Sequence, residues 1–194
     1  KPTTDVLVGK FNVEPNTSPE FSFENLFDRE GVVDNETYDV ISCVKNLAGF
    51  TRICWCYIIN LEFLRKNNLY FFEEARIFED TEFVTRMLCL CKKVVFFDEL
   101  FYCHRRRAGS LGQSIGPKHS MSGVVAVTAM CKLLKDNKHF SARNRKFIHG
   151  AVKDVLNVFI PCIFINSRKE LYKLATVIHR DITSIESLEE ISEG

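Results

Sequence analysis

The chain predicts an α/β domain followed by a helical extension. Three observations carry that reading. Up to Pro117, short β-rich runs alternate with segments of helical spacing. After Pro117 the texture changes to long amphipathic segments with no strand-like run between them. With 46% hydrophobic residues in 194, the sequence can bury a core of its own. The expected division is 1–117 for the α/β part and 118–194 for the helical part.

Asp5 to Val13 (DVLVGKFNV) alternates loosely and is β-rich, so it reads as a strand. Glu14 to Pro19 is turn chemistry, and Phe21 to Asp34 is mostly loop. Asn35 to Asn46 fits a short helix with Val40, Ile41 and Val44 on one face. Ile53 to Ile59 (ICWCYII) is a continuous apolar run, which suits a buried strand or the start of a buried helix. Asn60 is a candidate N-cap for a helix through Lys66, ended by Asn67 and Asn68. From Asp80, apolar residues recur at Phe83, Val84, Met87, Leu88 and Cys91, the spacing of one helix face. Lys92 and Lys93 suit the C-terminal end of that helix. Val94 to Phe97 and Leu100 to Arg105 read as two strands joined by a turn at Asp98-Glu99, and Ala108 to Pro117 as a Gly/Ser loop. Three helices follow: His119 to Asn137, built on Val124, Val127, Met130, Leu133 and Leu134; Arg143 to Phe164, kinked or ended near Pro161; and Ser167 to His179. The acidic end, SLEEISEG, should fray.

A net charge of +1 gives no overall field for a polyanion, and nucleic-acid binding has only one arginine triplet behind it. The eight cysteines lie mostly in apolar runs and carry neither a C-x-x-C spacing nor a signal peptide ahead of them. They read as buried free thiols in a reducing, cytoplasmic setting. A zinc site is the alternative, but Cys89 and Cys91 fall at i and i+2 of a helix and cannot face one ion together. No apolar run reaches the roughly 20 residues a membrane span needs. The chain starts at Lys1 rather than Met, which suggests residues upstream.

The stretch that bears on chemistry is IFEDTEF, Ile77 to Phe83. Glu79 and Asp80 can simply start a helix, where Asp caps and acids favour the dipole. The same position keeps a carboxylate ionised, and an ionised carboxylate at a cleft edge can act as a general base. Downstream lies His104-Arg105-Arg106-Arg107, followed by Ala-Gly-Ser at 108–110. Guanidinium groups and backbone N–H groups bind phosphate oxygens; a solvated basic strand end is the plainer reading. Strand alternation sends Arg105 and Arg107 to one face and His104 and Arg106 to the other.

Four pieces stand in order: W-x6-E-F-L (Trp55 to Leu64), N-x-L-x-F (Asn67 to Phe71), F-E-D-T-x-F (Phe78 to Phe83) and V-V-F-F-D-E-x-F-Y-x-H-R-R-R-x-G-S (Val94 to Ser110). Over about Asp5 to Ser110 this resembles the C-terminal, acceptor-side half of bacterial family-2 glycosyltransferases with the GT-A fold, the kind that build capsule, exopolysaccharide or lipopolysaccharide. The resemblance implies a mixed α/β sandwich and transfer, with inversion, from a nucleotide-sugar donor to a saccharide or lipid-linked acceptor. It implies that Asp80 is the catalytic base and that Glu79 and Trp55 bind acceptor. It matches Arg105, Arg106, Arg107 and Ser110 to the loop over the donor diphosphate, and His104 to a position where some relatives contact the metal or diphosphate. It also implies Mg²⁺ or Mn²⁺ held by a D-x-D motif.

This sequence contains no D-x-D, and the family's W-N-K lysine is Tyr57 here. The expectation is therefore a transferase lacking its nucleotide-binding half, inactive alone. A rival function is a non-catalytic module that dimerises through the helices from His119 onward. Peripheral membrane contact through Arg143, Arg145, Lys146, Lys153 and the apolar run to Ile165 is a further expectation, with helix packing as its plainer counterpart.

Overall fold

The computed structural model describes residues 4–14, 37–38, 54–105 and 117–163, together with Tyr172 and Thr176. They form a mixed α/β fold with a small sheet and four helices. The strands are β1 (Val6–Glu14), β2 (Thr37–Tyr38), β3 (Tyr57–Ile59) and β4 (Val94–Arg105). The helices are α1 (Leu61–Lys66), α2 (Glu79–Leu90), α3 (Pro117–Asp136) and α4 (Ala142–Ile163). The sheet order is β2-β4-β1-β3, with β1 and β4 parallel and the two outer strands antiparallel to their neighbours. Both outer strands are very short, which limits the unpaired edge they offer.

β4 is one continuous strand, where two strands and a turn were expected. Its 12 residues pair with the nine of β1, and Asp98, Glu99 and Phe101 drop out of register. The polar pair is thus absorbed as an irregularity in the ladder: pairing with β1 on both sides keeps the chain running in one direction. The phase of burial in β1 changes at the same place, from Val6 and Val8 to Phe11 and Val13. The first half of β4 is core, with Val94, Val95 and Phe96 buried; the second half leaves Leu100, Tyr102, Cys103 and Arg105 exposed.

The expected helix over Asn35 to Asn46 meets the description only at Thr37 and Tyr38, and these pair with Val95 and Val94 as a strand. A β-branched residue beside an aromatic fits an edge strand, and the neighbour β4 overrides local helical spacing. The ICWCYII run divides: residues 54–56 form a turn, and only Tyr57 to Ile59 are strand, with Ile58 exposed. Side chains alternate across the sheet, and Ile58 falls on the outer face, so continuous apolarity does not mean burial on both sides.

α1 behaves as its sequence predicts. The Asn60 side chain accepts from the Glu62 N–H at 2.8 Å, and its amide donates to the Thr4 carbonyl at 3.2 Å. At the other end Asn68 adopts φ 51°, the left-handed conformation that asparagine tolerates, and the chain turns away. Asn60→Ala removes both a cap and a tie to Thr4 ahead of β1, so a loss of about 1–2 kcal/mol is expected in urea unfolding. An unchanged midpoint would show that the cap carries no stability.

α2 buries Phe83, Val84, Met87 and Leu88, the stripe its spacing predicts. Thr81, Glu82 and Thr85 are buried as well, because α3 and α4 both pack on this helix. Lys92 and Lys93 lie beyond its last turn, where their N–H groups both donate to Asp5 Oδ2 at 3.0 Å. They tie the entry of β4 to the start of β1 and do not oppose the helix dipole from within its last turn.

α3 places Val124, Val127, Met130, Leu133 and Leu134 in the chain's own core, against Phe147, Ile148, Ala151 and Val155 of α4. One cluster of buried residues runs from Val6 to Val155. The stripe proposed for dimerisation thus has an intramolecular partner, as does the buried face of α4. Arg145 donates to the carbonyls of Lys138 and Phe140, while Arg143, Lys146 and Lys153 are exposed. α4 runs two residues beyond Pro161 instead of ending there. The helix expected over Ser167 to His179 lies outside the described residues except at Tyr172 and Thr176, both helical and exposed. Among the described residues, no helix is long and apolar enough to cross a membrane.

Candidate active site

The acid pair occupies the first turn of α2. The N-cap is Phe78, with no side-chain cap, so Asp80 is not the capping residue its sequence suggested. Its Oδ1 accepts the Thr81 N–H at 2.7 Å, which satisfies one otherwise open donor of the first turn. Glu79 is the more awkward of the two. Its Oε2 is buried without a hydrogen bond, and burial raises the carboxyl above its ordinary range, offset in part by a backbone hydrogen bond.

The turn at 54–56 lies close enough for its Cys54 to feel the charge of the acid pair. Burial raises the Cys54 thiol to about 11, and the charge of Asp80, then that of Glu79, adds to the shift. Cys54 is therefore a protonated thiol at neutral pH, not a nucleophile. Its neighbour Trp55 stacks with Tyr102, ring centroids 5.0 Å apart, and with His104, 4.9 Å apart. Phe11 meets the indole edge-on at 4.6 Å. The register explains the cluster: Phe11 pairs with Tyr102, and Tyr102 and His104 are two residues apart on one face of β4. The second half of β4, beyond the irregularity, thus holds an aromatic cluster around Trp55.

The fold stacks Trp55 on Tyr102 and His104, and the charges of Asp80 and Glu79 are felt at the adjoining Cys54. Arg105 is exposed, opposite Glu14 in the register, and alternation places it on the other face of β4 from His104. Arg106, Arg107 and Ser110 lie outside the described residues. Among the described residues, no three His, Cys, Asp or Glu side chains converge as metal ligands, and His104 stacks on Trp55. A separate groove of about 320 Å³ lies between Asp5, Asn60, Phe63, Asn67 and Leu90. It belongs to the far end of α2, roughly 15 Å along the helix from the acids at about 1.5 Å per residue.

Sequence reasoning missed Tyr102 and the Glu82–Arg86 pair. Tyr102 could have been found from its two-residue offset from His104 on a strand. Glu82 and Arg86 stand at i and i+4, the spacing of a helical ion pair. Glu82 is fully buried, and both its oxygens accept from Arg86, Nη2 to Oε2 at 2.9 Å. Burial still raises the Glu82 carboxyl above its ordinary range, against the opposing pull of Arg86.

Glu79 yields a pH prediction. Its folded pKa lies above the ordinary value near 4.5, so the folded chain holds this proton longer than the unfolded chain does. Stability therefore falls as pH rises from about 4.5 through the raised folded value, and the cost persists at neutral pH. Glu79→Gln should be more stable than wild type at pH 7 by about 0.5 kcal/mol, a figure discounted for solvent screening of a half-buried group. The gap should close as pH falls towards 4. Equal melting temperatures at both pH values would show that the buried charge has no cost.

No family model, no curated protein and no solved structure matches this chain.

Proposed function

We propose that this region is the acceptor side of a sugar-transfer site, with Asp80 as general base and Glu79 and Trp55 as acceptor contacts. The observation that carries the reading is the convergence of three sequence pieces that are far apart in the chain. Trp55 stacks on Tyr102 and His104, and the charges of Asp80 and Glu79 reach its neighbour Cys54. That arrangement is what the GT-A resemblance requires of its acceptor half, and the mixed sheet is compatible with it.

The chemistry follows from the residues. An acceptor hydroxyl is too weak an acid to ionise unaided, and a carboxylate within hydrogen-bond reach takes its proton as the oxygen attacks. The new bond forms from that oxygen to the anomeric carbon of a nucleotide-sugar donor. The bond from that carbon to the diphosphate oxygen breaks, and configuration inverts. Developing charge on the leaving diphosphate calls for cationic or N–H donors; Arg106, Arg107 and Ser110 are the candidates in this chain. Arg105 is a further candidate, on the face of β4 opposite His104 by alternation. Mg²⁺ or Mn²⁺ would serve the same charge.

The test is sugar transfer by the complete gene product carrying Asp80→Asn. Loss of transfer with an unchanged melting temperature supports the reading. Transfer at the wild-type rate overturns it.

A further inference from the structure

Three consecutive aromatic residues stand in solvent ahead of α2. Tyr70 is 60% exposed, Phe71 48% and Phe72 38%. Exposed aromatics in series are unfavourable unless something covers them. The rings of Phe71 and Phe72 have partners, and Tyr70 is held through its carbonyl. Phe71 stacks on Phe83 of α2 with centroids 4.1 Å apart and planes 19° off parallel. The Arg86 guanidinium lies 4.7 Å over the Phe72 ring, and its Nη2 donates to the Tyr70 carbonyl at 2.6 Å. Arg86 is itself held by Glu82, which is fully buried. A buried ion pair contributes little net stability compared with apolar residues of the same volume. Its cost here goes into orienting a short segment whose rings face water.

The segment is continuous with the candidate site. Phe83 stands three residues after Asp80 and four after Glu79, on the same side of α2. A molecule lying on Phe71 therefore sits about one helical turn from the carboxylates. We propose that Tyr70 and Phe71 form a platform for the acceptor, and that the acceptor is a saccharide that presents a pyranose face to it. The C–H face of a pyranose is apolar and carries partial positive charge. It packs on the negative face of an aromatic ring, while its rim hydroxyls stay free to meet Glu79 and Asp80. A lipid tail would need a continuous apolar channel, whereas the chain that follows these rings carries the exposed Glu73, Glu74 and Arg76. Glu82 and Arg86 are positioning residues for the platform. This inference rests on the sugar-transfer reading for the acceptor's role, but not for its binding.

The experiment is saturation-transfer NMR on the whole chain with methyl β-glucoside, methyl β-galactoside, cellobiose and lactose, each at millimolar concentration. Wild type should transfer magnetisation to the ring C–H protons of at least one of the four. Tyr70→Ser and Phe71→Leu should each weaken that binding about three- to tenfold, the scale of one aromatic contact. Tyr70 is mostly exposed and Phe71→Leu keeps an apolar contact with Phe83, so both variants should melt as wild type does. Absence of transfer to all four sugars overturns the platform, and so does binding unaffected by either substitution. The two readings separate cleanly. Transfer activity that depends on Asp80, with saccharide binding indifferent to Tyr70 and Phe71, removes the platform alone. Saccharide binding that depends on Phe71, with transfer indifferent to Asp80, removes the transferase reading and leaves a saccharide-binding surface.

Discussion

Arg86→Ala is expected to destabilise the chain by about 3–5 kcal/mol, because it leaves the Glu82 carboxylate buried and alone. Glu82 is fully buried, and Arg86 supplies both of the hydrogen bonds seen at its oxygens. At roughly 2–4 °C per kcal/mol for a chain of this length, the melting temperature should drop by roughly 6–20 °C. The effect belongs to the stranded charge more than to the lost attraction. The double variant Glu82→Leu/Arg86→Met should therefore recover most of the stability, since an apolar pair of similar volume replaces the ions without a desolvation cost. The double variant also releases the Tyr70 carbonyl and the Phe72 ring, so it should remain folded yet bind the test saccharides less well. Urea unfolding of the three proteins decides the point. An Arg86→Ala midpoint equal to wild type would mean that water or another cation reaches Glu82. A double variant no better than the single would mean that the pair is irreplaceable for packing.

That pair also shows where sequence reading reaches and where it stops. The apolar stripes of α2 and α3 could be read from spacing alone, because burial of one helix face leaves a 3.6-residue period. α1 could be read to the residue, because Asn60 and Asn67-Asn68 act through local hydrogen bonds and backbone conformation. Long-range pairing leaves no such local mark. Asp98-Glu99 looks like a turn, and only the continued pairing of β4 with β1 makes it an irregularity within a strand. Thr37-Tyr38 joins the sheet because β4 offers it an edge, not because its own stretch is β-rich. Glu82 has the look of a solvated first-turn acid, yet α3 and α4 close over the helix that carries it. In the site, the acid pair at a helix start was visible in IFEDTEF. The meeting of Trp55 with Tyr102 and His104 was not, since it depends on the register of β1 with β4.

Asp80→Asn should lower sugar transfer by the complete gene product about 10²- to 10⁴-fold, the usual contribution of a positioned general base. The loss should fall on kcat, because the amide keeps the size of the side chain and can still accept the Thr81 N–H that Asp80 Oδ1 accepts at 2.7 Å. Glu79→Gln should act chiefly on the KM for acceptor, since its proposed part is to bind the attacking sugar. A purely structural Asp80 predicts the reverse pattern: lost stability and little change in kcat. The Cys54 thiol supplies an independent readout. Burial is the main cause of its rise to about 11, and the Asp80 charge is the next. Removing that negative charge makes the thiolate easier to form, so Cys54 should alkylate faster at pH 9 in Asp80→Asn than in wild type. Faster alkylation together with collapsed kcat would tie the missing charge to both the Cys54–Trp55 turn and the reaction. Faster alkylation with normal transfer would keep the geometry and reject Asp80 as the base. An unchanged alkylation rate would separate Asp80 from the Trp55 turn, and with it the juxtaposition on which the sugar-transfer reading rests.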